Sequence, residues 1–272
     1  MNRIEEKFEK LRKEGKKAFI PFLTAGDPDL ETTEALVLEL ERRGSDIIEL
    51  GVPFSDPLAD GPVIERSSRR ALKKGISLGK VLDLVTKLRQ RTQIPLVLMG
   101  YYNPIFKFGE EKFIKRSSQV GLDGLIVADL PPEEAYNLRK GAEKKNIDII
   151  FLLTPVSSGE RIKLVCECSK GFIYCVSYTG VTGGNVGKMG EALKHLVDTV
   201  RSFTSHPIGV GFGVSSPSDA RKIASIADGV IVGSAVIKEI EKYQGQKNLV
   251  KKVGDFGEKL AKAIKGTLSN FS

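Results

Sequence analysis

Histidine and cysteine are scarce in this chain: His195 and His206 are the only histidines, and Cys166, Cys168 and Cys175 the only cysteines. Neither histidine has a partner at metal-ligand spacing, so no metal site is expected. Three thiols are an odd number without secretory context, which argues against a disulfide framework and leaves them as core thiols. Long apolar runs are also missing. A stretch such as Ile147 to Leu153 is broken by Asp148 and falls far short of a bilayer span. The opening Met1-Asn2-Arg3-Ile4-Glu5-Glu6-Lys7 lacks a signal-type apolar core, and a cytoplasmic protein with no membrane contact is expected. No nucleic-acid motif accompanies the net charge of +8. Its basic residues alternate with acids, as in Glu39-Leu40-Glu41-Arg42-Arg43 and Glu143-Lys144-Lys145, which describes a solvated surface rather than a nucleic-acid face. The modest positive field favours an anionic small molecule.

What is present is ordinary globular material: 272 residues, 41% hydrophobic and 28% charged, with no visible linker, read as a single domain over residues 1–272. Short β-branched apolar runs recur at 18–23, 46–51, 96–99, 124–128, 148–153, 172–176, 208–212 and 229–232, with helical segments between them. Eight such units in about 250 residues predict an α/β fold, a (βα)8 TIM barrel. The helix over 32–43 ends at Gly44, the run with Phe113, Ile114 and Val120 ends at Gly121, and Pro132-Glu133-Glu134 reads as the first turn of another helix. Three additions go beyond a minimal barrel. Ile4, Phe8 and Leu11 share one face of an extra N-terminal helix that could plug the floor. An extra helix lies after strand 2, where helices near 63–73 and 78–89 both fit. Leu249, Val253, Phe256, Leu260 and Ile264 line an extended C-terminal helix.

The run from Asp46 to Pro62 is the most informative. Strand alternation places Ile47, Glu49 and Gly51 on one side and Asp46, Ile48 and Leu50 on the other, so Glu49 lies among apolar neighbours. A carboxyl there is either half of a buried ion pair or a proton shuttle with a raised pKa. Asp60, in a loop held by Pro57, Gly61 and Pro62, favours the second reading. Both acids fall at the end of a strand or in the loop after it, the active face of this fold. Glycine-rich turns follow the last three strands at 180–184, 211–216 and 233–235, and a helix starting at Ser234 would aim its positive end at a bound anion. The strand ends read Thr24, Glu49, Gly100, Asp129, Thr154 and Ser177, with no lysine for a Schiff base. If a carbon–carbon bond is cut, the substrate must supply its own electron sink.

The run Glu49-Leu50-Gly51-Val52-Pro53-Phe54-Ser55-Asp56-Pro57-Leu58-Ala59-Asp60-Gly61-Pro62 resembles the α subunit family of tryptophan synthase. So do Phe22-Leu23-Thr24-Ala25-Gly26-Asp27-Pro28, Tyr102-Asn103-Pro104-Ile105, Asp129-Leu130-Pro131, Gly180-Val181-Thr182-Gly183 and Gly211-Phe212-Gly213. The resemblance runs over essentially the whole chain and implies a lyase of tryptophan biosynthesis that splits indole-3-glycerol phosphate into indole and glyceraldehyde 3-phosphate. The indole ring fits the missing sink. By the same resemblance Glu49 would move protons, Asp60 would hold the ring N–H, and Tyr174 would buttress Asp60, its alternative being a core aromatic. Phe22, Tyr101, Leu125 or Val127, and Phe212 would sandwich the indole. Gly183, Gly213, Gly233 and Ser234 would hold the phosphate, and Thr182 would sit in a lid over 180–190.

Two departures stand out. Gly184 and Asn185 stand where many members have an alanine and a charged residue, with the further glycines Gly187 and Gly190 after them, and Gly100 suggests a roomier pocket wall. The resemblance further implies no cofactor in this chain and a β subunit carrying pyridoxal phosphate in an α2β2 heterotetramer. Asp56, Pro57, Asn103, Pro104, Phe106, Pro131 and Pro132 are the expected docking residues, with Asp56 a candidate inter-subunit ion pair. The alternatives are a stand-alone indole-releasing lyase, a non-catalytic regulatory subunit, or another phosphate-binding barrel enzyme.

Overall fold

A computed structural model describes residues 2–176, 186–211 and 213–266. Its strands are β1 (Ala18–Thr24), β2 (Ile48–Gly51), β3 (Leu96–Gly100), β4 (Gly124–Val127), β5 (Asp148–Ile149), β6 (Leu152–Leu153), β7 (Ile173–Val176), β8 (Ile208–Gly211) and β9 (Gly229–Val232). All pairings are parallel, in the order β5-β4-β3-β2-β1-β9-β8-β7-β6. The run expected as one strand over 148–153 is divided between β5 and β6. Its first half pairs with β4, where Ile150 N–H donates to Leu125, and its second half with β7, where Tyr174 N–H donates to Phe151. One segment thus joins both ends of the sheet, and the stagger a barrel requires makes it change partners midway. The fold is a TIM barrel.

The helices are α1 (Arg3–Lys13), α2 (Leu30–Arg42), α3 (Pro62–Lys73), α4 (Leu78–Arg89), α5 (Tyr102–Phe108), α6 (Glu110–Val120), α7 (Tyr136–Glu143), α8 (Gly159–Cys168), α9 (Val186–Phe203), α10 (Pro217–Ala224), α11 (Ser234–Tyr243) and α12 (Leu249–Lys265). Three expectations shift. Helix α2 opens two residues early because Asp29 caps it, accepting the Thr32 N–H at 2.7 Å. Pro132-Glu133-Glu134 form a separate turn before α7. Asn103, Pro104 and Phe106 belong to the short helix α5 instead of a loop.

Two apolar layers result. Inside the barrel, Ile20, Ile47, Val97, Ile126, Ile150, Phe172, Tyr174 and Ile231 pack with Ile4, Phe8 and Leu11, so α1 does plug the floor. Asn2 caps this helix in a reciprocal box with Glu5, and its amide nitrogen donates to the Asp123 carbonyl. Outside, the opposite strand faces, among them Ile48, Leu50, Leu96 and Leu98, pack against the helical ring, on which Leu249, Val253, Leu260 and Ile264 of α12 are buried.

One polar network fastens this ring near the mouth. The Asp27 side chain, wholly buried, accepts two hydrogen bonds of 2.7 Å from Arg70 of α3, and Arg70 also reaches Glu241 of α11 at 2.6 Å. Glu241 in turn takes two 3.1 Å hydrogen bonds from Arg66. Removing Arg70 strands a buried carboxylate, so Arg70→Met is expected to lower the unfolding free energy by about 3 kcal/mol. Adding Asp27→Asn should recover part of that loss. Urea unfolding of both single variants and the double variant checks this, and additive losses would show that the pair is not coupled.

Candidate active site

Glu49 lies on β2 with its side chain in the barrel interior. Phe22 and Val97 flank it in register, and Thr24, Gly51, Met99 and Ile126 form the next row toward the mouth. The residue is 1% exposed, and neither carboxylate oxygen has a hydrogen-bond partner among the described residues. Burial, reinforced by the negative charge of Asp60, pushes its pKa up to about 8. The buried ion pair that the sequence left open is therefore absent among the described residues. Gly51 makes room for this arrangement, because a Cβ there would come within 2.3 Å of the Phe22 ring.

Asp60 stands at the end of the loop that joins β2 to α3, half-buried, one residue before the Gly61 cap. Burial pushes its carboxyl up, a hydrogen bond from Tyr101 pulls it back, and the neighbouring Glu65 raises it again. Tyr101 accepts the Ala59 N–H at 3.1 Å and stacks on Phe54 with ring centroids 5.2 Å apart. The phenol expected beside Asp60 was Tyr174. Tyr174 instead faces Glu49: its hydroxyl is pushed well above the ordinary range by burial and then by the Glu49 charge. A Cβ on Gly211 would meet that hydroxyl at 2.7 Å, so the glycine opens the space it fills.

The pocket wall also differs in part from expectation. Leu125 and Val127 point outward into the helical layer, and Ile126 between them faces the interior. Gly100 likewise faces outward, where a Cβ would meet Val52 at 3.2 Å, so the wall there is no roomier and Met99 is the inward residue. Met99 and Ile126 are the lining residues that sequence reasoning missed. What places them is the strand register, which sets Val97 and Gly124 in the Glu49 row and so Met99 and Ile126 in the row above, and neither strand's own apolar pattern marks it.

Strands β8 and β9 are neighbours, with Gly211 opposite Ile231, so the turns carrying Gly213 and Gly233 leave adjacent strand ends. Gly213 is exposed with a positive φ of 28°. Gly233 caps α11 without a side-chain hydrogen bond, leaving the N–H groups from Ser234 onward available. The neighbouring α10 is closed by its own carboxylate. Asp219 accepts from the backbone and hydroxyls of Ser215 and Ser216. Thr182, Gly183 and Phe212, and the first part of the lid expected over 180–190, lie outside the described residues, while from Val186 onward that stretch is the start of α9.

Around the same mouth several apolar side chains are exposed: Leu58 after β2, Phe106 on α5, Tyr136 at the start of α7 and Val156 after β6. Asp56 is exposed and takes a hydrogen bond from Ser55. Pro57, Pro104 and Pro131 are half-covered and Asn103 is exposed, but Pro132, expected beside them at the docking face, is buried in this chain. Cys166, Cys168 and Cys175 are buried free thiols. Among the described residues no group of three metal-ligating side chains converges, and no helix is long and apolar enough to cross a membrane.

A barrel whose mouth holds one buried carboxyl, unpartnered among the described residues, beside a second acid, with an open helix N-terminus on the adjoining strands, is an acid–base enzyme of the TIM-barrel class. The chain matches the family model for the tryptophan synthase alpha chain over residues 8–265 and belongs to that family. It is 52% identical over 264 residues to the tryptophan synthase alpha chain of Citrifermentans bemidjiense, covering 97% of this chain and 98% of that one. The corresponding protein of a Thermoanaerobacter species is 49% identical over 264 residues, with 97% and 100% covered. Among solved structures, subunit alpha from Legionella pneumophila superposes with a TM-score of 0.89 at 38% identity, covering 97% and 98% of the two chains. Tryptophan synthase from M. tuberculosis gives 0.87 at 33%, with 97% and 99% covered.

Burying Glu49 sets a pH-dependent cost. Its folded pKa of about 8 exceeds the ordinary value of 4.5, so the folded state holds a proton that the unfolded state has lost between those values. Stability is full below about 4.5, falls as pH rises, and levels off above about 8. Glu49→Gln should remove this slope and leave the protein more stable than its parent at pH 9, on the order of 2–4 kcal/mol. Unfolding curves from pH 5 to 9 read the difference, and parallel curves for parent and variant would contradict it.

Proposed function

We propose that this chain, acting as one domain over residues 1–272, cleaves indole-3-glycerol phosphate with Glu49 and Asp60 as its working acids. The observation that carries the reading is the buried Glu49 carboxyl beside Asp60, without a hydrogen-bond partner among the described residues. Near neutral pH Glu49 holds its proton, which suits a group that must first give one. It delivers that proton to ring carbon C3, producing an indolenine in which the ring N–H bears positive charge. Asp60, as carboxylate, holds that N–H. The Glu49 carboxylate then removes the proton of the side-chain hydroxyl, the bond from C3 to the side chain breaks, and its electrons return to the ring nitrogen. Indole and glyceraldehyde 3-phosphate leave, and Glu49 has its proton back.

Phe22, Met99 and Ile126 supply an apolar wall for the indole, with Tyr101 alongside. Gly213, Gly233 and Ser234 supply N–H groups for the phosphate. Thr182, Gly183 and Phe212 keep the substrate roles that the resemblance gives them. Tyr174, beside Glu49, shapes the environment of that acid. The chain itself carries no cofactor in this reading. Its partner is a β subunit that uses pyridoxal phosphate to consume indole, in a cytoplasmic α2β2 assembly. The exposed Leu58, Phe106 and Val156 favour this over the stand-alone lyase, because exposed apolar groups clustered on one rim mark a docking face.

Glu49→Gln and Asp60→Asn are each expected to lower turnover by roughly two to four orders of magnitude in folded protein. In the parent, kcat/KM should fall as pH rises through about 8, where Glu49 loses the proton it must donate. Near-normal indole release by Glu49→Gln would refute the assignment. For the docking face, Leu58→Asp and Asp56→Ala should weaken activation by an added β subunit while leaving substrate binding near the parent value. Assays of indole release with and without that subunit separate the two effects, and the opposite pattern would place both residues in the substrate site.

A further inference from the structure

We propose that Tyr101 is a positioning residue for Asp60, its hydroxyl clamping the β2–α3 loop so that the carboxylate is held at the barrel mouth. The inference rests on the role given to Asp60 above. One side chain grips the loop at both ends. The Tyr101 ring, 4% exposed, stacks on Phe54 at 5.2 Å with 29° between the planes, and its oxygen accepts the Ala59 N–H at 3.1 Å. Because the oxygen accepts there, its own proton remains to be donated, and the Asp60 carboxyl, which follows Ala59 and whose pKa Tyr101 lowers, is the acceptor beside it. Ser55 to Leu58 bow outward between these two grips, and Leu58 is 85% exposed.

Tyr101 is itself well fixed. It follows the last residue of β3 and leads into α5, where the Tyr102 N–H donates to Asp129 at 2.7 Å. The charged and titratable groups facing the pair are acidic or phenolic. Glu49 projects from β2 toward Asp60, Glu65 from α3 acts on Asp60, Asp129 after β4 acts on Tyr101, and Tyr174 of β7 faces Glu49. Among such neighbours an ionised Asp60 depends on a neutral donor. The Tyr101 hydroxyl, pushed up to about 12 chiefly by burial, keeps its proton at any working pH and stays that donor.

Tyr101→Phe keeps the ring stack and removes only the hydroxyl. Carbon-13 NMR of carboxyl-labelled protein, with the Asp60 signal assigned by its loss in Asp60→Asn, should show the Asp60 pKa rising by about one unit. The acid limb of kcat/KM should move up with it, and kcat should fall about tenfold or more with KM within about twofold. A fluorinated tyrosine at position 101, which keeps and acidifies the hydroxyl, should move the Asp60 pKa the other way. An unchanged Asp60 pKa in both variants overturns the proposal, as does a change in KM alone, which would make Tyr101 a pocket wall only. A raised Asp60 pKa with unchanged turnover would sustain the clamp and refute instead the role of Asp60 in the chemistry.

Discussion

The dehydration of a single carboxyl governs this molecule. Three other buried acids are answered. Asp123 takes Arg3, Arg89 and the Leu96 N–H, Asp46 takes Lys265 and the Phe19 N–H, and Asp27 takes Arg70. Each is a charge neutralised where it stands. Glu49 receives nothing among the described residues, and its nearest charged neighbour is another acid. Leaving a carboxylate in that state is costly, and a protein gains by it only if the proton it retains is used. The contrast with Asp123 separates function from structure: the same chemical group, equally buried, is paired on the floor and, among the described residues, unpaired near the mouth. Asp148, whose Oδ2 also has no partner among the described residues, lies on the floor beside Asn2 and belongs to the plug rather than the mouth.

The barrel supports this asymmetry. Interior rows from Ile47 down are hydrocarbon sealed by α1, so water cannot reach Glu49 from below. Above it the rows become glycine-bearing, at Gly51 and Gly211, and the freed volume is taken by Phe22 and Tyr174. Large aromatic faces thus stand beside the acid, and among the described residues no hydrogen bond quenches it. That combination, dry and flat-walled with a second acid alongside, suits an aromatic ring that must be protonated on carbon.

Much of this was legible in the sequence, for identifiable reasons. The β2 run has a polar residue at one alternating position, which fixes its faces and so exposes Glu49 as the inward residue. The β4 run Gly124-Leu125-Ile126-Val127 is apolar on both faces, and without a polar marker the choice of Leu125 or Val127 over Ile126 had no internal check; a slip of one residue exchanges the faces. Gly100 misled similarly, since its missing side chain suggested a cavity whereas Val52 fills the space. Pro131-Pro132 read as surface because proline favours loops, yet burial is set by what packs over a turn, and one of the two is covered. Tyr101 and Tyr174 could not be told apart as partners of Asp60, because loop geometry decides which phenol reaches it.

The ion-pair network links these parts mechanically. Arg70 lies eight residues beyond Pro62 and Glu241 seven beyond Ser234, so each is about two turns, or 10–12 Å, below the N-terminus of its helix. Those two N-termini carry the acid loop and the open anion site. With α3 and α11 tied through Arg70 and Glu241, and Arg70 anchored on the wholly buried Asp27, the helices share one rigid reference. Ile64 of α3 and Phe22 of β1 both lie against Gly233, which continues that contact up to the mouth. The separation between Asp60 and the α11 N-terminus is therefore set from below, by charge pairs shielded from the substrate. The loops above can then remain apolar and exposed at Leu58 and Phe106 without loosening the chemistry, since neither carries the geometry of the acids.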